Sequence, residues 1–180
     1  MSCRKLTRSA SSNVGRGTAS REGGRSGTTS CYRCCSPSAQ RVLRPGGKLC
    51  AAVWAQPDGN PWATIPMTAI ATETELPATP PDAPGLFRCA APGAIGDALA
   101  AAGFRDVGET DVRASLTTTS AEEYWQYMTE VAAPVIAGLA LVDEEGRARI
   151  RFAAMKEAET FEVDGQLRLP LHARCIIGTR

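Results

Sequence analysis

Histidine is almost absent: one residue in 180, His172. Zinc sites built on paired histidines are therefore excluded. Aromatic residues are also scarce, at 6%. No stretch approaches the roughly 18 consecutive apolar residues that a membrane-spanning helix needs. The opening MSCRKLTRSASS carries charge with no apolar segment behind it, so no secretory signal is expected. Acidic residues are missing from one region in particular. Residues 1–40 hold seven basic side chains (Arg4, Lys5, Arg8, Arg16, Arg21, Arg25, Arg33) against one acid, Glu22. The remaining 140 residues hold 13 basic and 18 acidic groups, so the overall net charge of +1 conceals two segments of opposite sign.

What is present bounds the class. Apolar residues at 43% and charged residues at 22% give the composition of a globular protein, with a chain long enough for one core. Seven cysteines are an odd number, and without a secretory signal a disulfide framework is a poor reading. The expected setting is reducing and cytoplasmic.

Residues 1–38 are Ser, Gly, Arg, Thr and Cys for the most part, with Met1, Leu6, Val14 and Tyr32 at neither helical nor strand spacing. Such a segment cannot bury enough surface to offset about 1–2 kcal/mol of backbone ordering per residue, and is read as a disordered basic tail. Sharper readings lack a part each. Cys31, Cys34 and Cys35 have the spacing of half a zinc site, with no second half following. A transit peptide would need an amphipathic face. A nucleic-acid tail would act through phosphate contacts alone, with no stacking platform. The same residue bias also arises when a GC-rich gene is read out of frame.

From Ser38 onward the pattern is that of a folded α/β domain, residues 39–180. Ala39, Val42 and Leu43 share one face of a helical turn that Pro45-Gly46-Gly47 ends. Lys48 opens a strand whose run Leu-Cys-Ala-Ala-Val-Trp shows no polar alternation, which predicts a strand covered on both faces within a parallel sheet. In open α/β sheets ligands lie beyond the carboxyl ends of the strands, so the following loop occupies the functional rim. Trp54, Asn60 and Trp62 are its candidate substrate contacts, against the more economical reading of both tryptophans as packing anchors. A helix is predicted from Pro61 to about Glu75, then a stiff proline-rich loop with Pro77, Pro80, Pro81 and Pro84.

Pro92 is placed at the first position of the next helix, whose face is Ile95, Ala98, Leu99 and Ala102. Val112, Ala114 and Leu116 alternate with polar residues in a half-exposed strand. Ser120-Ala-Glu-Glu123 is a capping box, with Glu123 reaching back to an end amide. The helix it opens carries Tyr124, Trp125, Met128, Val131 and Ala132 on one side, read as core. A short apolar helix and a charged one from Asp143 to about Phe161 follow. Asp164-Gly165 is a turn, and Leu167, Leu169, Leu171 and Ala173 alternate into a last strand ending near Ile177. His172 is expected at the solvent or at the rim of the sheet, without a partner that the sequence can name.

The order helix–RVLRPGG–strand–WxxxxxNPW–helix–PGAIGDALAAAGF–strand–SAEEYW–helices–DGQLRLP–strand closely resembles the C-terminal half of class I S-adenosylmethionine-dependent methyltransferases. The nearest branch is the small-molecule type that includes ubiquinone- and menaquinone-biosynthesis enzymes. Residues 43–47, 102–107 and 60–62 carry the likeness, and their order carries more than any one of them. The resemblance implies a Rossmann-like, seven-stranded sheet in which the Pro-Gly-Gly turn leads into the fifth strand and the last two strands form an antiparallel edge hairpin. It further implies S-adenosylmethionine as cofactor and a small-molecule methyl acceptor.

In that family the cofactor belongs to the other half of the sheet, on a glycine-rich loop after the first strand and an acid ending the second. Gly15-Arg16-Gly17 is the one G-x-G here, with Ser20 where a third glycine belongs and Glu22 too early for the ribose. No catalytic, cofactor-binding or metal-ligating residue is therefore assigned. Three functions stand open: a methyltransferase lacking its cofactor half, an inactive remnant or partner-dependent subunit that could dimerise through an exposed sheet edge, and, least favoured, a basic-tailed nucleic-acid binder. No membrane partner is expected.

Overall fold

The computed structural model describes residues 39–74 and 85–180. The readings made for residues 1–38, and most of the proline-rich loop, lie outside the described residues.

A helical turn, α1 (residues 39–42), runs into the Pro-Gly-Gly break, where Gly46 takes a φ of 74°. Gly46 N–H donates to Arg180 O, and Arg180 N–H donates to Gly47 O, so the break is pinned to the far end of the last strand. Ala39 and Leu43 pack inward as expected, but Val42 points out and is exposed. Four residues make barely one helical turn, which is too short to hold three side chains on one buried face.

Strand β1 (Lys48–Trp54) follows, then a 3-10 turn (Pro57–Gly59) and helix α2 (Pro61–Glu73). Next come α3 (Ala94–Ala101), β2 (Arg105–Thr118), α4 (Ala121–Val131), α5 (Ala133–Leu139), α6 (Glu144–Glu159), β3 (Glu162–Val163) and β4 (Gln166–Thr179). The fold is α/β. Its four-stranded sheet has the order β1-β4-β2, with the two-residue β3 added to the start of β4, and every pairing is antiparallel. Because β1 and β2 both run against β4, they run parallel to one another with β4 between them. The expectation of a parallel ladder for β1 is corrected accordingly.

The same strand corrects the expectation of cover on both faces. Its burial alternates, with Lys48, Cys50 and Ala52 exposed. Small residues such as Cys50 and Ala52 tolerate water at little cost, so an unbroken apolar run does not by itself require two covered faces.

Residues paired across a ladder share a face. The unbroken register from Gly108↔Ile177 to Thr118↔Leu167 therefore sorts β4 into two sets. Leu167 and Leu169 face the larger core, where Ile65 and Ile70 of α2, Tyr124, Trp125 and Met128 of α4, Val135 of α5 and Ile150, Ala154 and Ala158 of α6 meet. Ile176 points the other way, into a smaller core with Ile95 and Leu99 of α3 and Phe104. The side chains beyond Leu169 on the first face lose their helical cover: Ile177 is 41% exposed and Val112 of β2 is 44% exposed.

The Ser120 cap holds with one change. Ser120 Oγ accepts from the Glu123 amide at 3.1 Å, but Glu123 reaches Thr119, accepting from its amide at 2.7 Å and its hydroxyl at 2.6 Å, one residue ahead of the expected target. Asp143 caps α6 through the Gly146 amide. Pro92 lies before the N-cap Gly93 rather than at the first helical position. Val131 is exposed, because α4 ends there. Asp164 and Gly165 take φ of 53° and 71°, the pair of positive values that a two-residue hairpin turn requires.

Candidate functional site

Beyond Trp54 the chain must turn sharply to start α2, and one side chain organises the turn. Asn60 is fully buried. Its Nδ2 donates to His172 O at 2.9 Å and Gln56 O at 3.1 Å, with a longer contact of 3.4 Å to Ala55 O. Its Oδ1 accepts from the His172 amide at 2.9 Å and from Trp62 Nε1 at 3.1 Å. The side-chain amide thus mimics a neighbouring strand residue, extending the β1–β4 ladder past Ala55, whose own N–H donates to His172 O at 2.9 Å. Pro61, with no N–H, starts α2 without an orphan donor.

The structure brings Trp54, Asn60 and Trp62 together on this loop. The two indole rings sit 5.0 Å apart at 55°. Trp62 O accepts from the Tyr124 hydroxyl at 2.8 Å, which ties the loop to α4, and burial pushes the Tyr124 phenol well above its usual range. All polar atoms of the Asn60 side chain are engaged within the protein, so a ligand here would meet the indole faces and backbone instead.

Along α2 from this loop runs an open groove of about 480 Å³, floored by Ile65, Ala69 and Phe161 and edged by Thr64, Thr68, Thr72 and Glu157. That is within the usual size range of small-molecule sites, and its mixed lining suits a ligand with both apolar and hydroxyl-bonding parts.

On the opposite face of the sheet lies a charged cluster that the sequence reading missed. Arg174 is buried to 9% exposure, with Nε 3.2 Å from Asp111 Oδ1 and 3.8 Å from Glu109 Oε2, and Nη1 donating to Ala90 O at 3.2 Å. His172 Nε2 is 3.1 Å from Asp111 Oδ1. Both residues follow from register: Asp111↔Arg174 and Arg113↔His172 are cross-strand pairs. His172 is therefore largely enclosed rather than at the solvent, because Gly59 leaves room for it; a Cβ on Gly59 would come within 2.9 Å of its Nδ1. The signal available in the sequence was the period-two pair of acids, Glu109 and Asp111, facing a period-two pair of bases.

The imidazole of His172 and then the Arg174 guanidinium hold the Asp111 carboxyl below its ordinary value of 3.8. A carboxylate with a depressed native pKa contributes stability that is present above the unfolded-state value and is lost as pH falls through the native one. Thermal unfolding followed from pH 6 to pH 2.5 is expected to show a steeper acid limb in the native protein than in Asp111→Asn. Identical limbs would show that the pair is screened to nothing by solvent, since Asp111 is half exposed.

Helix N-termini are natural anion sites, but here protein groups fill them. Glu109 takes the α3 amides of Gly93 at 3.1 Å and Gly96 at 3.3 Å. Ser120 and Asp143 serve α4 and α6. Among the described residues no group of three or more His, Cys, Asp and Glu could hold a metal ion, and no helix is long and apolar enough to cross a membrane.

Compared with known proteins, the chain matches no family model and no curated protein.

Proposed function

We propose that residues 39–180 form the trailing, acceptor-side part of a seven-stranded, Rossmann-like sheet of the S-adenosylmethionine-dependent methyltransferase type. In this reading the chain on its own transfers no methyl group. The reading is carried by one arrangement: the two long final strands, β2 and β4, pair antiparallel at one side of the sheet, while β1 after the Pro-Gly-Gly turn keeps its other edge unpaired among the described residues. The resemblance implies the same order of parts. The methyl acceptor would be a small molecule held against the Trp54 and Trp62 rings or in the threonine-edged groove.

The described residues do not fit S-adenosylmethionine itself. The one glycine between β1 and α2, Gly59, is filled by His172, and the N-termini of α3, α4 and α6 are occupied by Glu109, Ser120 and Asp143. No step through the cofactor follows from this chain. Calorimetric titration of the full chain with S-adenosylmethionine is expected to give no saturable heat, and methyl transfer from labelled cofactor to a panel of phenolic and quinol acceptors to stay at background. Saturable binding by the chain alone would overturn the proposal. A second reading, a partner-dependent subunit without chemistry of its own, is favoured by the open edge of β1 beside the exposed Cys50, Ala52 and Ile177.

A further inference from the structure

Strand β1 uses one edge for β4, through the seven pairs from Lys48↔Thr179 to Trp54↔Ala173. Its second edge has no strand partner among the described residues. A free strand edge presents a row of N–H and C=O groups that template another strand unless something blunts it. The usual devices are weak here. The seven residues KLCAAVW contain no proline, no bulge interrupts their pairing with β4, and the only charge, Lys48, sits at the first position.

The strand is also complementary to itself. In an antiparallel, two-fold arrangement centred on Ala51, Cys50 faces Ala52 of the second copy and Leu49 faces Val53. Lys48 then faces Trp54, an ammonium against an indole ring. No like charges oppose one another, the central three residues are small enough for close approach, and the outer pairs are apolar or cation–π. One face of the joined sheet would run on from the exposed apolar side chains already present, Cys50, Ala52, Ile177 and Val112. The other would join the partly buried Leu49, Ala51 and Val53 of both copies. A net charge of +1 adds no long-range repulsion between copies.

From this we infer that the chain self-associates through β1, edge to edge with a second copy in the register centred on Ala51, making a continuous eight-stranded sheet. The inference uses the same open β1 edge as the methyltransferase reading, but its test, self-association, is separate from that reading's test, cofactor binding.

Sedimentation equilibrium of the full chain tests it, with two double variants at exposed positions of the strand. Cys50→Lys with Ala52→Lys sets like charges directly across the two-fold axis twice. Cys50→Lys with Ala52→Glu sets opposite charges at the same places. The native chain is expected to show a monomer–dimer equilibrium. The like-charge variant should weaken it about ten-fold or more, and the opposite-charge variant should stay within about three-fold of native. Far-ultraviolet circular dichroism should be unchanged in both, since both positions are open to solvent. A chain that stays monomeric up to about 100 µM, a range that micromolar association would saturate, overturns the inference. So does an equal response of the two variants, which would place any contact elsewhere.

Discussion

Replacing Asn60 with alanine is expected to lower stability by about 3–5 kcal/mol, the loss seen when a buried network is broken rather than a single contact. The amide is fully buried and serves five partners at once. Alanine would leave the His172 amide and carbonyl, the Gln56 carbonyl and the Trp62 indole N–H without this partner, in a space too enclosed for water to replace every bond. Asn60→Asp should be comparably damaging, although it is nearly the same shape. A carboxylate can accept from His172 and Trp62 but cannot donate, so it would face three carbonyl oxygens with negative charge. Urea unfolding followed by tryptophan fluorescence reads the result directly, because Trp62 is itself a partner. A loss below about 1 kcal/mol for the alanine variant would mean that the rim loop is held by its backbone and packing alone.

The second large effect concerns the two faces of the sheet. Leu169→Ala is expected to cost about 3–4 kcal/mol, and Ile177→Ala less than about 1 kcal/mol, although both residues lie on β4 and point to the same side. Leu169 is completely buried opposite Leu116 of β2, beneath the core built by α2, α4 and α6. Removing three of its carbons leaves a cavity that α6 cannot collapse to fill, because small Ala154 and Ala158 already bring that helix close. Ile177 sits eight residues on, where none of the described helices covers the strand, and remains 41% exposed. Thermal or urea unfolding of the pair checks the contrast. Equal losses would mean that the far end of that face is covered in solution.

Most element positions were legible because local chemistry marks them. Pro45-Gly46-Gly47, the Ser120 cap and Asp164-Gly165 each satisfy a backbone need that only a few residue types can meet, and each falls where the sequence puts it. The α3 face of Ile95, Ala98 and Leu99 was equally plain. Pairing was not legible. Nothing in KLCAAVW distinguishes a strand buried between parallel neighbours from one lying beside β4 with a bare edge, since the paired residues lie 119 to 131 positions away. The candidate loop is evident from its position after β1, yet no local pattern reveals that Asn60 spends all its hydrogen-bonding capacity on the fold. Arg174, His172, Asp111 and Glu109 come together only once the β2–β4 register is known.

The strand order has a consequence for how the molecule is made. Each of the other three described strands finds its partner in β4, which follows all of them in the sequence. During synthesis β1 and β2 emerge before the one described strand they pair with, and those ladder bonds must wait for β4 to leave the ribosome. Only local helices can form before then. Apart from the local β3–β4 hairpin, the sheet therefore closes late and over large sequence separations, the kind of step that is slow and leaves strands bare in the interval. The yield of folded chain is therefore exposed to whatever meets β1 and β2 during that interval.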